Sequence, residues 1–181
     1  MLHTLQRIAG FIDGLSERTG QVIAWLTLGT VLLTFTVVVL RYGFDTGSIA
    51  MQEAVSYLHA AVFMLGAAYT LKHDGHVRVD IVYRRLSLSG RAMVNLLGTL
   101  LLLLPVCLYI LASSWEYVAI SWSLHEGSQE AGGLDAVFLL KTAIPVMAVL
   151  LLLQGIAIAI HSLLQLLGVE RVDGEQPDRE L

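Results

Sequence analysis

The chain has 181 residues, of which 56% are hydrophobic and 14% charged, and its formal net charge is −4. A soluble domain usually carries about 25% charged residues, so the composition argues against a soluble globular protein. The single cysteine, Cys107, excludes an intramolecular disulfide. The net charge itself says little, because the acids and bases are unevenly placed, and we expect no nucleic-acid partner.

Four segments contain no Asp, Glu, Lys or Arg, and each has at least 18 residues: 19–40, 54–71, 92–115 and 142–169. About 20 apolar residues cross a hydrocarbon core of about 30 Å as a helix, and the alternation typical of a membrane β-barrel is absent. We therefore predict an all-α membrane protein with one four-helix domain, residues 1–168. The expected spans are about 19–41, 50–71, 92–122 and 136–167. The first span is expected to be a retained anchor.

Two other segments have apolar residues at helical spacing among charged ones. Leu5, Ile8 and Ile12 recur within 2–15, and Ile81 and Leu86 accompany several arginines within 77–88. This pattern is typical of short amphipathic helices that lie in the membrane plane on an anionic surface. A short surface turn is the alternative for each. The charged tail, 169–181, is predicted to be disordered.

The basic residues indicate how the chain crosses the membrane. Nine lie in the N-terminal segment, in the loop between the second and third spans, and in the tail, whereas only Arg41 and Lys141 lie on the other side. Because basic residues favour the cytoplasmic side of short loops, we expect both termini to be cytoplasmic. The segments 41–53 and 123–135 would then face outward.

Ionisable residues within membrane spans are the first functional candidates. Glu53 opens the second span, where a carboxylate suits the helix dipole and could pair with Arg41. A structural role is favoured for Glu53 over the alternative, an ion-carrying role. Two facing histidines can hold a haem, but His59 and His161 are expected at different depths, so packing or interface roles are favoured for both.

A second polar group follows the second span and comprises His73, Asp74, His76 and Asp80. Histidines and carboxylates at close spacing can bind a metal, but this spacing fits no closed zinc site. A turn that ends the helix near Gly75 is the favoured interpretation.

Other features of the spans concern helix shape and contact. Pro105 and Pro145 are expected to kink the third and fourth spans. Gly66 and its neighbouring alanines favour close helix approach in the second. We identify no catalytic motif, phosphate loop or buried charge network in the sequence. This favours an accessory or scaffold subunit over two alternatives, a haem-binding redox subunit and a stand-alone four-helix carrier or channel.

Several short motifs resemble one family, the small, DctQ-like permease subunit of tripartite ATP-independent periplasmic (TRAP) transporters. The resemblance extends from about Arg7 to Gly168, and the segment from His76 to Asp80 is its most specific part. In chain order the motifs are Arg41-Tyr42, Glu53, 65–68, 75–80 with Arg78, Glu126-Gly127-Ser128, 132–134, Lys141, Ile144-Pro145 and Gln154-Gly155. Met51 and Gln52 depart from the tryptophan and serine that often precede the glutamate, and Asp135 replaces a frequent proline.

The resemblance implies a role in a bacterial inner membrane. Such subunits join a large permease subunit, which holds the substrate and sodium sites, and a periplasmic protein that captures an organic acid or related solute. The small subunit would extend the scaffold of this ion-driven symporter, without a cofactor, metal or catalytic site. Candidate structural and interface residues are Arg41, Glu53, Gly66, His76, Arg78, Asp80, Glu126, Ser128, Glu130, Lys141, Pro145 and Gln154. Among them, Arg41, Glu53, His76 and Asp80 would stabilise helix ends and loops. The outer loop from Glu126 to Leu134 is expected to touch the binding protein.

Overall fold

A computed structural model describes residues 2–77 and 80–170; for Asp80 and Val82 it describes the backbone only. The helices are α1 (Leu2–Gly43), α2 (Ile49–Lys72), α3 (Asp80–Tyr83), α4 (Leu88–Ser123) and α5 (Val137–Leu166). All except α3 are long and apolar enough to cross a membrane. This confirms the predicted all-α fold with four membrane-spanning helices.

The helix α5 is the centre of the bundle, since it contacts α1, α2 and α4. It is also the most buried of the four long helices. Polar side chains near the ends of the neighbouring helices contact α5 or the loop that precedes it. These contacts form the clusters described below.

The helix α1 differs from the prediction, because residues 2–15 do not form a separate helix in the membrane plane. They continue without a break into the first span, and the 42 residues of α1 extend about 63 Å at 1.5 Å per residue. Ala9 and Ile12 are buried in one cluster with Ala157 of α5. The apolar face that suggested an interfacial helix is thus covered by α5.

The segment after α2 is a turn, which agrees with the favoured interpretation of its polar group. His73 caps α2, and the Gly75 amide donates to the Thr70 carbonyl at 2.9 Å. Within the described part of 77–88, the only helix before α4 is the single turn of α3, which favours the alternative surface turn over the predicted in-plane helix. Arg78 and the tail from residue 171 lie outside the described residues.

The helix α4 is interrupted by a π-helical turn at Thr99–Leu103, directly before Pro105. Because proline has no amide hydrogen and its ring crowds the preceding turn, such a widened turn accommodates it within a helix. Pro145, by contrast, is buried inside α5, which runs through it without ending.

The helices α1 and α2 are antiparallel and approach closely at a glycine. Gly66 of α2 lies near Ile23, and Gly20 of α1 lies against the Tyr69 ring. A Cβ atom on Gly20 would lie 2.1 Å from Tyr69 Cδ2, which is far inside van der Waals contact. Glycine at position 20 is therefore needed for this contact.

We expect Gly20→Ala to lower the stability of the bundle by about 1–3 kcal/mol, the usual cost of overpacking. The measurement is thermal or denaturant unfolding of the purified protein in detergent. Gly29→Ala is the matched control on the same helix, because nothing lies within 4 Å of a Cβ there. Equal behaviour of the two variants would contradict the proposed packing.

Candidate functional site: two polar clusters that join the helices

A polar cluster joins α1 to the second half of α5, and we call it the Asp13 cluster. It comprises Asp13, Ser16, Gln154, His161 and Glu170. Ser16 Oγ donates to Gln154 Oε1 at 2.6 Å, and Gln154 Nε2 donates to Asp13 Oδ1 at 2.9 Å. The His161 ring lies between two carboxylates, with Nε2 2.9 Å from Asp13 Oδ2 and Nδ1 2.8 Å from Glu170 Oε2.

Helix periodicity explains why these side chains meet. Asp13 and Ser16 are three residues apart on α1, and Gln154 and His161 are seven apart on α5, so each pair shares one helix face. Gln154 and Ser16 are almost fully buried, at 1% and 3% exposure. The two polar groups of the Gln154 amide are each bonded to α1, so this amide cross-links the helices away from water.

A second contact ties α1 to the end of α2, one helical turn beyond Asp13. Glu17 Oε2 lies 2.6 Å from Lys72 Nζ and 2.9 Å from His73 Nε2. His73 also packs against the Tyr69 ring, with 4.4 Å between the ring centroids. The same end of the bundle therefore joins α1, α2 and α5 through side chains of α1.

The opposite end of the bundle holds a cluster around Glu53, in the second turn of α2. One carboxylate oxygen of Glu53 accepts from the Leu134 amide at 2.7 Å, and the other accepts from the Ser128 hydroxyl. The Ser128 amide in turn donates to the Leu134 carbonyl at 2.9 Å. Gly133 permits this fold, because a Cβ there would lie 2.3 Å from Ser128 Oγ. Glu53 therefore fixes the loop between α4 and α5.

An ion pair at the base of this loop holds it to α5. Lys141 Nζ lies 2.5 Å from Glu126 Oε2 and 4.0 Å from the centroid of the Tyr117 ring of α4. The hydrogen bond from Lys141 holds the pKa of Glu126 below its usual range. On the same side, Trp122 Nε1 donates to Thr142 Oγ1 at 2.8 Å. These contacts join α4, the loop and α5.

The structure brings some of the candidate residues together and leaves others apart. It pairs Glu53 with Ser128, Glu126 with Lys141, and Gln154 with α1. Glu130 has an exposed side chain, but its amide donates to Ser128 Oγ at 3.1 Å. Of the remaining candidates, Arg41 and His76 are exposed, Gly66 faces Ile23 and Pro145 is buried in α5. Asp80 begins α3, and Arg78 lies outside the described residues.

Two sequence-based expectations are wrong. Glu53 does not pair with Arg41, because both of its oxygens are bonded to the loop between α4 and α5. A charged network within the bundle was not expected, yet His161 lies between Asp13 and Glu170. Both of its ring nitrogens are occupied by carboxylates, so an iron ligand at His161 would have to break one of these contacts.

Sequence reasoning missed Asp13, Ser16 and Glu170 of the Asp13 cluster and the separate Glu17–Lys72 contact. It gave His161 a packing or interface role but did not identify its carboxylate partners. Asp13, Ser16 and Glu17 share one face of a helix, which is a visible signal. From the sequence alone, this face was assigned to the water-facing side of an in-plane helix.

The bundle also has apolar grooves. A groove of about 450 Å³ lies between α4 and α5, and its lining includes Trp115, Trp122, Pro145 and Val149.

Across residues 2–77 and 80–170, no group of three His, Cys, Asp or Glu side chains is placed to hold a metal ion.

These features define a multi-helix membrane protein in which polar side chains join the helices to one another. The family model for tripartite ATP-independent periplasmic transporters, DctQ component, matches residues 30–165. The chain therefore belongs to this family of membrane-spanning transporter subunits, which confirms the resemblance. The family is a transporter component and not a class of enzyme.

A similar protein is the "Putative TRAP transporter small permease protein" of Haemophilus influenzae, 32% identical over 84 residues. The alignment covers 46% of this chain and 52% of that protein, so the chain matches about half the length of this relative. No solved structure matches the chain.

Replacing Gln154 with leucine tests the Asp13 cluster. Gln154→Leu keeps the size of the side chain but removes the partner of Ser16 and one of the two partners of Asp13, which keeps its contact with His161. We expect a stability loss of roughly 0.6–1.7 kcal/mol for each interhelical hydrogen bond removed, as found in membrane proteins. Denaturant unfolding in detergent measures it. The control is Gln21→Leu at an exposed position of α1, and an equally small effect of both variants would count against the cluster.

Replacing Glu53 with alanine tests the second cluster. The Leu134 amide then loses its acceptor, so hydrogen exchange across residues 128–134 should accelerate in Glu53→Ala. Hydrogen–deuterium exchange with mass spectrometry reads this out. Gln52→Ala is the control, because Gln52 is the exposed neighbour of Glu53 on the same helix. Unchanged protection of the loop in Glu53→Ala would show that Glu53 does not hold it.

Proposed function

We propose that this chain is the scaffold subunit of a sodium-coupled TRAP importer for an organic acid or related solute. It works with a large permease subunit and a periplasmic binding protein in a bacterial inner membrane. The family match supports membership in a tripartite transporter. The observation that carries the scaffold role is that polar side chains within the bundle bond helix to helix: Gln154 joins α1 to α5, and Glu53 joins α2 to the loop before α5.

A scaffold differs physically from a solute path. A path through the membrane needs polar groups that remain available to a moving ion or solute. In the Asp13 cluster, the Gln154 amide and both nitrogens of His161 are already bonded to other side chains. These bonds hold the helices in one arrangement, which is what a fixed body beside a moving subunit requires.

Uptake into liposomes tests the role of the chain. The large permease and this chain, reconstituted together and supplied with the loaded binding protein, should take up solute when an inward sodium gradient is imposed. This chain alone should give no uptake above empty liposomes. Equal uptake with and without this chain would contradict the scaffold role, and uptake by this chain alone would favour the stand-alone carrier.

The orientation is also proposed: both termini cytoplasmic, with the Glu53 cluster on the periplasmic side. The distribution of basic residues supports it. Labelling with a membrane-impermeant maleimide tests it in a Cys107→Ala background. Gly47→Cys, between α1 and α2, should react in spheroplasts, whereas His76→Cys should react only after the membrane is opened. Both positions are exposed, and a Cβ at position 47 meets nothing within 4 Å. The opposite labelling pattern would reverse the topology.

A further inference from the structure

One face of α2 is uncovered and carries polar side chains. Gln52, Ser56, His59 and Phe63 recur at helical spacing, and all four are exposed. We call this face the His59 stripe. The positions between them on α2 are partly buried, and α2 contacts α1 and α5, so the stripe is the side of α2 that points away from the bundle.

The depth of His59 makes this face unusual. His59 is the eleventh residue of α2, which places it about 15 Å from the start of a helix about 36 Å long. It therefore lies near the middle of a helix that crosses the membrane. The part of the chain that the structure describes supplies no hydrogen-bond partner for its ring nitrogens.

Hydrocarbon cannot satisfy such a side chain. A neutral imidazole has one N–H donor and one acceptor nitrogen, and a buried polar group without a partner is costly. Two exposed threonines of α1 avoid this cost. Thr34 and Thr36 on α1 each donate to a carbonyl of their own helix, at 2.7 and 2.8 Å.

Glu116 is another exposed polar residue, and its exposure follows from its depth in the membrane, near the end of the bundle. It is adjacent to Tyr117, whose ring contacts Lys141, and Lys141 is bonded to the loop residue Glu126. Glu116 therefore lies near the polar end of α4, within reach of water, whereas His59 does not.

The uncovered face of α1 provides the contrast. Val31, Leu32, Phe35 and Val38 are exposed there, and all are apolar. Lipid chains can cover such a surface without loss. Of the two faces, only the His59 stripe calls for a hydrogen-bonding partner at mid-membrane depth.

From this contrast we propose that the His59 stripe is the surface that receives a transmembrane helix of the large permease subunit. The helix presents a hydrogen-bonding side chain to His59, while the Val31 face of α1 is covered by lipid. Ala60 and Ala67 lie beside the stripe, and small residues allow two helix backbones to approach closely. This inference rests on the proposed function, which supplies the partner, and adds which face of this chain binds it.

Photo-cross-linking in the membrane of cells that express the full transporter tests the surface. Benzoylphenylalanine is placed at Phe63, which is exposed on the same stripe and leaves His59 intact, in one variant and at Leu32 in the other. We expect an adduct with the large permease from position 63, several-fold stronger than from position 32. A dominant permease adduct from position 32, an adduct between two copies of this chain from position 63, or no protein adduct from position 63 would each overturn the proposal.

A set of substitutions separates hydrogen bonding from shape. His59→Leu should lower the amount of large permease that co-purifies with this chain several-fold, whereas His59→Gln, which retains a donor and an acceptor, should preserve it. Phe63→Leu is the apolar control on the same face. His59 makes no hydrogen bond within the described residues, so the folding of each variant, measured by circular dichroism, should be unchanged. Undiminished co-purification in His59→Leu would overturn the proposal.

Co-purification with the unaltered chain distinguishes a failure of the His59 stripe from a failure of the proposed function. If the large permease co-purifies but cross-links elsewhere, the His59 stripe is wrong and the proposed function stands. If no large permease co-purifies under conditions that keep this chain folded, the proposed function and the stripe both fail.

Discussion

The hydrogen bonds of Gln154 to α1 are the contact on which the arrangement of the bundle depends most. Lipid is as apolar as a leucine side chain, so the hydrophobic effect does little to hold helices together within a bilayer. Close packing and interhelical hydrogen bonds must do so instead. Gln154 makes two such bonds, to Ser16 and Asp13, at a position that is 1% exposed. Because α5 also contacts α2 and α4, the fixed pairing of α1 with α5 sets the geometry of the whole bundle.

The cluster around Glu53 also joins separate elements by hydrogen bonds, at the other end of the bundle and with different chemical groups. There a single carboxylate, Glu53, accepts hydrogen bonds from a loop instead of from another helix. The loop follows α4 and leads into α5, and the pair Glu126–Lys141 holds its base. A scaffold that must present a constant surface outside the membrane benefits from a loop fixed in this way. Together with the Glu17–Lys72 contact, the two clusters leave α2 and α5 bonded to neighbouring elements near both ends of the bundle, and α1 near one end.

Much of the fold can be predicted from the sequence, because uncharged segments of 18 residues or more have few alternatives to membrane helices. The family could also be recognised from motifs such as His76 to Asp80. The Asp13 cluster could not be predicted, since it depends on whether residues 2–15 lie in the membrane plane or continue α1. Both arrangements use the same amphipathic pattern, and only the packing of Ala9 and Ile12 against Ala157 decides between them. The partner of Glu53 was misjudged for a related reason: Arg41 is close in sequence, but the loop 124–136 folds back onto α2.

If α5 holds the outer helices as one rigid body, their spacing should stay constant throughout transport. A distance measurement between spin labels on α1 and α4 tests this, with labels on Gly10→Cys and Gly98→Cys in the Cys107→Ala background of the complete transporter. Nothing lies within 4 Å of a Cβ at either glycine. We expect one narrow distance distribution that is the same with and without sodium and loaded binding protein. A shift of several ångströms, or a second population that appears on loading, would contradict it.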